Sequence, residues 1–390
     1  MLNSVQLLLY FLILFLYYIS LSSAQSLGQS CQTPDQKQGT CIDLHQCPSL
    51  FAIYTRRPLS TDDRSFLLRS QCGSRGHSPL LCCALAIQPT TPSPPRPENH
   101  QQSPNVRLAD ELLPPPGVCG LQYEERIIGG EETALKEFPW TVLLKYSTPK
   151  GEAFNCGGSL IHKDFVITAC HCVDAKHLRD RRWTIPAVRL GEWDVTTNPD
   201  CEEVDDDENN DETIPRCSEP YVDIPVAEII RHEQYRPKVR YETNDIALIR
   251  LQQSAVFTDF VRPICLPIAI ANKKYDDLLL TAAGWGVTER GTTSHVKMKV
   301  AIKGVPLNQC IAQYGNLSIK QICAGEDDKD VCNGDSGGPL MIQHSVSPLH
   351  VYHYLTGIVS FGPVPCARKG SPAVYTRVDQ YIDWILSKIS

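Results

Sequence analysis

Hydrophobic positions are arranged along this chain in several distinct ways, and the transitions between them mark its parts. An unbroken apolar run, Leu7 to Ile19, ends in Ser22-Ser23-Ala24 and then Gln25. It is shorter than a membrane-spanning helix needs and closes on small residues, which predicts a cleaved signal peptide over residues 1–24. No Lys or Arg precedes the run, so an uncleaved anchor is the competing reading. After Arg126 the apolar residues fall into short blocks: Thr141–Tyr146, Ser159–Ile161, Phe165–Thr168, Ile246–Leu251 and Leu355–Phe361. These blocks are β-rich and bounded by Gly, Pro or Asn, which predicts strands. One stretch has helical period, Val378–Ile389, with Tyr381, Ile382, Ile385 and Ile389 on one face. Many strands and one closing helix predict an all-β domain over residues 127–390, built as a pair of antiparallel β-barrels.

The segment between run and blocks has little continuous apolar sequence. Cys31, Cys41, Cys47, Cys72, Cys82 and Cys83 lie within about fifty residues. So small a unit cannot bury enough surface without staples, and six cysteines allow three. This predicts a module over 25–83 with a disulfide core over 31–83. Cys82 and Cys83 are neighbours and would strain a mutual bond, so each reaches back to a partner that spacing alone does not reveal. A zinc site is the alternative, opposed by the scattered spacing. From Ala84 to Val118 the composition turns to Pro, Gln, Ser and Asn, including Pro92–Pro97 and Pro114–Pro116. Residues 84–126 therefore read as an extended, semi-rigid tether and the segment leading into the barrels.

Composition changes this picture in two places. Seventeen cysteines behind a signal peptide imply an oxidising, extracellular compartment and a disulfide framework, and the odd count leaves one thiol over. The net charge of −7 belongs to one loop, because Asp200 to Glu212 holds nine carboxylates and no Lys or Arg, leaving +2 for the rest. Nothing resembles the basic stripe of a nucleic-acid binder, and no other segment is apolar enough to span a bilayer.

Three separated segments carry chemistry. Asp330-Val-Cys-Asn-Gly-Asp-Ser-Gly-Gly-Pro-Leu340 sets Ser336 among glycines, with Asp335 before it. Thr168-Ala-Cys-His171-Cys172 offers a base, and Asn244-Asp245-Ile-Ala-Leu248 an acid. A neutral hydroxyl is a poor nucleophile and needs a base held in one tautomer. His171 would take the proton of Ser336 and pass it to a leaving amine, while Asp245 orients the ring and stabilises the imidazolium. Backbone N–H groups of Gly334 and Ser336 would hold the oxyanion, one such donor being worth roughly 3 kcal/mol where acyl transfer uses it. A core histidine or an Asx-turn at Asn244-Asp245 is the structural alternative for either segment alone.

Residues 127–390 resemble the chymotrypsin-like serine proteases. The likeness runs through Ile127-Ile-Gly-Gly130, Cys156-Gly-Gly-Ser-Leu160, Gly284-Trp-Gly286, the Asp330–Leu340 segment and Pro372-Ala-Val-Tyr-Thr376. It implies a trypsin-like fold in which Asp330 lines the base of the specificity pocket, for cleavage after Arg or Lys. Ser360 to Gly362 resembles the substrate-pairing strand, with Phe361 where Trp is usual. Ala373 stands at a pocket-wall position where Gly is usual, which narrows the slot. Arg126-Ile127 reads as an activation bond, whose cleavage lets the new amino group of Ile127 pair with Asp335; the chain would be a zymogen cut by an upstream trypsin-like protease or by itself. The module and tether resemble the clip domain of arthropod clip-domain proteases. The resemblance implies pairs Cys31–Cys82, Cys41–Cys72, Cys47–Cys83, Cys119–Cys265, Cys156–Cys172, Cys201–Cys217, Cys310–Cys323 and Cys332–Cys366.

Cys170 is then left over, either a tolerated core residue, a redox-sensitive thiol or a rival partner for Cys156. Glu192, Asp194, Thr197 and Asp200 place oxygen donors at short intervals, suiting Ca²⁺ as a structural ion; a solvated acidic loop is the alternative. No cofactor is expected for catalysis. Asn316-Leu-Ser318 is a glycosylation sequon. The family likeness implies a secreted haemolymph protease of melanisation, prophenoloxidase-activating or Easter-like type. Its partners would be a zymogen or cytokine-precursor substrate and a serpin, with no nucleic acid and no membrane. The competing class is a catalytically silent clip-domain adaptor, in which the serine is commonly replaced.

Overall fold

The computed structural model describes residues 28–43, 47, 50, 53, 61–75, 78–84, 108–109, 111–122, 131–205, 213–237, 243–287, 293–325, 335–347, 350–363 and 371–390. The expected signal peptide, the Arg126-Ile127 bond, most of the tether, Asp330, Gly334 and the Cys332–Cys366 pair lie outside these residues. The chain divides into two compact units, Met1–His100 and Gln101–Ser390.

In the first unit, strands β1 (Ser30–Gln32), β2 (Gln38–Asp43), β3 (Gln71–Arg75) and β4 (Ser78–Ala84) form a sheet in the order β1-β2-β4-β3, preceded at β3 by helix α1 (Thr61–Arg69). Successive side chains of a strand point to opposite faces, which explains the adjacent cysteines. Cys82 packs with Leu80, Cys31 and Cys41 on one face. Cys83 packs with Leu81, Leu50 and Cys47 on the other. The bonds are Cys31–Cys82, Cys41–Cys72 and Cys47–Cys83.

The second unit holds two barrels. The first is a closed ring in the order β12-β13-β8-β7-β6-β9. Its strands are β6 (Thr141–Thr148), β7 (Gly151–His162), β8 (Phe165–Thr168), β9 (Thr184–Leu190), β12 (Val222–Arg231) and β13 (Ala247–Leu251). Trp140, Leu144, Tyr146, Leu160, Ile167 and Leu248 fill its core. The second ring runs β14-β17-β18-β19-β16-β15 and closes through β14–β15, with the two-residue β5 (Glu131–Glu132) outside β15. Its strands are β14 (Leu279–Gly284), β15 (Met298–Val305), β16 (Gln321–Ala324), β17 (Pro339–Ser347), β18 (His350–Phe361) and β19 (Ala373–Arg377). Leu280, Ile302, Tyr354 and Tyr375 lie at its centre. The expected pair of antiparallel barrels is what the chain builds, with six strands in each ring.

Two details depart from the reading of the sequence. The terminal segment is not one α-helix: Val378–Tyr381 is a 3-10 turn, and α4 begins at Ile382 and runs to Ile389. Tyr381 leaves helical geometry while its buried hydroxyl donates to Asn244. The acidic stretch opens as strand rather than loop, with β10 (Cys201–Asp205) paired to β11 (Thr213–Cys217) and Cys201 opposite Cys217. Short helices α2 (Ala175–Arg181) and α3 (Leu307–Tyr314) complete the unit.

Candidate active site

β8 is buried at every position and ends at Thr168, where the chain turns into a 3-10 segment, Cys170–Val173, that carries His171. Two anchors fix this turn. Cys172 is bonded to Cys156 of β7, and the Tyr146 hydroxyl donates to the Cys172 carbonyl at 3.0 Å. Cys156, His171 and Cys172 cluster closely enough to hold a metal, but the disulfide uses both sulfurs. The His171 ring is therefore delivered by a rigid corner, about a quarter of its side chain open to solvent.

Asp245 lies just before β13 and is fully buried. Its carboxylate accepts from the His171 backbone N–H at 2.8 Å and from Ser360 Oγ at 2.5 Å. His171 Nδ1 lies 2.8 Å from Oδ2. A carboxylate can only accept, so the ring proton belongs on Nδ1 and Nε2 is left as the base. Burial pushes the Asp245 carboxyl up, but the adjacent imidazole and the Ser360 hydroxyl outweigh it and hold the group below its ordinary value. It stays an anion where its charge is needed.

The backbone at this acid is held by residues far away in sequence. Asn244 adopts a left-handed φ of 59°, a conformation that Asn tolerates better than most residues. Its Oδ1 accepts from Lys320 Nζ and from the Tyr381 hydroxyl, both at 3.2 Å. The Thr376 hydroxyl donates to the Asp245 carbonyl at 2.8 Å. Ser360 and Thr376 as partners of Asp245, and Lys320 and Tyr381 as partners of Asn244, were invisible in the sequence, because all of them come from the second barrel or the C-terminal segment.

Ser336 is brought in between two strands that already touch its partners. Its carbonyl accepts from Gly157 N–H at 2.8 Å, and the Gly157 carbonyl accepts from the Thr168 hydroxyl at the end of β8. On the other side Gly337 N–H donates to Val359, the neighbour of Ser360. Gly337 has φ +79°, and a Cβ there would lie 2.3 Å from Thr168 Oγ1, so no side chain fits. Among the described residues no hydrogen bond joins the Ser336 hydroxyl to His171; such contacts are often long before substrate binds. Asp335 folds away beneath the Gly284-Trp285-Gly286 turn, its Oδ1 accepting from Gly286 N–H at 2.8 Å. A Cβ at Gly286 would sit 2.1 Å from that carboxylate, which accounts for the glycine.

Of the expected substrate-binding residues, Ser360 sits at a bulge between Val359 and Phe361 in the β18–β19 ladder. A bulged residue drops out of the ladder, and the Ser360 side chain turns inward to Asp245. Gly362 follows the strand end and is exposed. Ala373 opens β19, is fully buried and pairs with Ala324. Phe361 packs edge-on against Tyr314 at 5.7 Å. Asn316 is exposed after α3.

The expected metal residues meet only in part: Glu192 and Asp200 share a niche with the Thr197 hydroxyl, while the Asp194 carboxylate accepts from the Thr196 N–H and hydroxyl instead. Asp200 Oδ2 accepts from the N–H groups of Trp193 and Asp194, and its Oδ1 from the Thr197 hydroxyl. Glu192 accepts from Trp193 N–H and from Arg189 Nη1 at 3.1 Å. Burial, and then the charge of Asp200, push the Glu192 carboxyl up to about 7 despite Arg189. The donor chemistry fits a hard cation, which would relieve the like charge. Arg189 competes for one of the oxygens. Cys170 is fully buried, and burial, then the charge of Asp245, push its thiol up to about 12. Such a thiol is inert, which favours the core reading.

A two-barrel unit with an imidazole bonded to a buried carboxylate, and a serine on a glycine-held turn tied to the strands beside them, has the make-up of a serine endopeptidase. Comparison with known proteins agrees. The trypsin family matches residues 127–385, and the regulatory CLIP domain of proteinases matches residues 31–83. The chain is 42% identical over 371 residues to Serine protease ea of Drosophila melanogaster, covering 92% of this chain and 90% of that one. It is 39% identical over 404 residues to Melanization protease 1 of the same organism, covering 97% and 98%. The crystal structure of the Drosophila Grass clip serine protease of the Toll pathway superposes with a TM-score of 0.59 at 28% identity, covering 93% and 98%. The chain belongs to the clip-domain serine proteases of the trypsin family.

Proposed function

We propose that this protein is a secreted zymogen whose cleavage at Arg126-Ile127 yields an endopeptidase that cuts after Arg or Lys, acting in an extracellular cascade of the melanisation or Toll-ligand type. His171 serves as general base and then acid, Asp245 as its orienting anion, and Ser336 as nucleophile. As Ser336 Oγ attacks the carbonyl carbon its proton passes to Nε2, and the N–H groups of Gly334 and Ser336 take up the oxyanion. The same proton then goes to the leaving amine, and water reverses the sequence on the acyl-enzyme. The observation that carries this reading is the His171–Asp245–Ser360 hydrogen-bonded set, which fixes ring tautomer and charge before any substrate arrives.

Asp330 would supply the countercharge for a cationic side chain, and Ala373 would narrow that pocket. The names of the relatives, a melanisation protease and a protease of the Toll pathway, support the cascade role. An upstream trypsin-like protease fits the basic residue at the activation bond, and a serpin is the fitting inhibitor. Glu192 and Asp200 would hold Ca²⁺ as a structural ion, with Asp194 and Thr197 beside them. The test is cleavage at Arg126, checked by amino-terminal sequencing, followed by hydrolysis of Arg, Lys and Leu chromogenic peptides. Rapid turnover of the first two alone supports the reading. Correctly cut but inert protein returns the chain to the adaptor class.

A further inference from the structure

The chain turns directly from the catalytic corner into α2, and there its surface charge changes sign. Lys176, Arg179, Arg181 and Arg182 are all exposed, as is the one intervening acid, Asp180. Among the described residues none of the four cations forms a salt bridge. Four exposed cations thus stand within seven consecutive positions, with a single carboxylate, Asp180, among them. Nor is α2 a loose appendage. The Asp174 side chain caps it by accepting from His177 N–H at 2.7 Å, and Leu178 buries its inner face. Trp183 braces the far end, meeting Tyr146 edge to face at 5.7 Å and lying beneath the Arg181 guanidinium at 4.9 Å. Tyr146 is the residue whose hydroxyl anchors the Cys172 carbonyl. The cations are thus mounted on the same rigid corner that carries His171.

The corner also fixes which part of a substrate would meet them. Nε2 of His171 delivers its proton to the leaving amine, the first residue after the cleaved bond. Cys172 Sγ lies 3.6 Å from that Nε2, so the Cys156–Cys172 disulfide borders the leaving-group side. The chain continues from Cys172 through Asp174 into α2. The charge of His171 also bears on His177 of α2, after burial and Arg181, in lowering that imidazole.

We propose that α2 and its cap Arg182 form a cationic exosite that binds an acidic segment of the protein substrate lying on the carboxyl-terminal side of the cleaved bond. The inference rests on the trypsin-like reading above and adds what that reading lacks, a source of selection beyond the residue before the scissile bond. Unpaired, preorganised cations beside a cleft raise the encounter rate of an acidic partner and lose that advantage as salt screens them.

The experiment uses the full-length protein cut at Arg126 and three fluorogenic peptides sharing one Arg-containing cleavage sequence. One carries four Glu after the cleaved bond, one carries four Gln there, and one carries four Glu before it. At 50 mM salt the downstream-Glu peptide should be cleaved with about 10-fold higher kcat/KM than the Gln peptide, and the ratio should fall below about 3 at 1 M salt. The combined variant Lys176→Glu, Arg179→Glu and Arg181→Glu should abolish the preference while a short Arg chromogenic peptide is hydrolysed within twofold of wild type. Arg179→Gln with Arg181→Gln, a gentler change, should reduce it by half or more. Loss of the short-peptide activity in wild type would defeat the trypsin-like reading itself. Equal rates on all three peptides with that activity intact would overturn the exosite alone, as would a preference for upstream Glu. Tight binding of heparin with equal peptide rates would assign the patch to a polysaccharide and overturn it too.

Discussion

Two carboxylate sites flank strands of the first barrel, and burial alone does not distinguish them. Asp245 is fully buried yet held below its ordinary value, because an imidazole, a backbone N–H and a hydroxyl all point at it. Glu192 is nearly as buried, has a guanidinium at 3.1 Å, and is nonetheless pushed up to about 7. The difference is the neighbour: an imidazole faces Asp245, whereas Glu192 shares its niche with the carboxylate of Asp200. Desolvation sets the size of what is at stake, and the sign of the nearest charges decides which way the group moves. The first arrangement suits a permanent anion that orients a base. The second suits a proton or a metal ion.

The largest test of this contrast is Asp245→Asn. With geometry kept and the anion lost, the ring takes the wrong tautomer, and kcat toward an Arg peptide should fall by about 10⁴-fold, the size known for the equivalent change in other triads. A fall below tenfold would mean that Asp245 only packs. Next is Ser360→Ala, which removes a hydrogen bond to a buried charge. It should cost about 1.5–3 kcal/mol in chemical denaturation and shift the acid limb of the kcat profile, which a purely structural loss would leave in place.

At Glu192 the sign runs the other way. A carboxyl whose folded value is raised binds more protons folded than unfolded, so stability falls as pH rises from about 4.5 to about 7. Glu192→Gln should flatten that decline, and an unchanged slope would remove Glu192 as its source. Calcium competes with the proton, so it should raise Tm more at pH 8 than at pH 5.5. At a hundredfold excess over Kd the gain is about 2.7 kcal/mol, or roughly 5–10 °C for a domain of this size. Identical melting in calcium and EDTA at pH 8 would discard the ion. The smallest expected effect is at Cys170, where Ala should change stability by about 1 kcal/mol or less, and native alkylation should label nothing. Rapid labelling would reopen the redox reading.

The comparison also shows what a sequence can and cannot disclose. The β-rich blocks at Thr141 and Phe165 were legible because alternation and burial are local properties, and β8 spans the same four residues as its block. His171, Asp245 and Ser336 were legible because each sits in a short, chemically distinctive segment. The partners that hold this acid's turn were not. Ser360 and Thr376, which bond Asp245, and Lys320 and Tyr381, which bond Asn244, lie 75 or more positions from Asp245, and only closure of the second barrel against the first brings them there. The 3-10 turn at Val378–Tyr381 was hidden for a similar reason, since a tertiary hydrogen bond from Tyr381 overrides a helical pattern. The basic run at Lys176–Arg182 was visible as letters, but its meaning depends on α2 leaving the catalytic corner.

The central claim is that a serine hydroxyl at position 336 becomes a nucleophile toward Arg and Lys bonds once Arg126-Ile127 is cut. The most direct measurement is titration of the cut protein with an active-site acylating reagent, in parallel with a Ser336→Ala chain cut at the same bond. The account predicts a burst of about one equivalent with sustained Arg-peptide turnover in the first and neither in the second. Correctly cut wild-type protein that shows no burst and no turnover would contradict it.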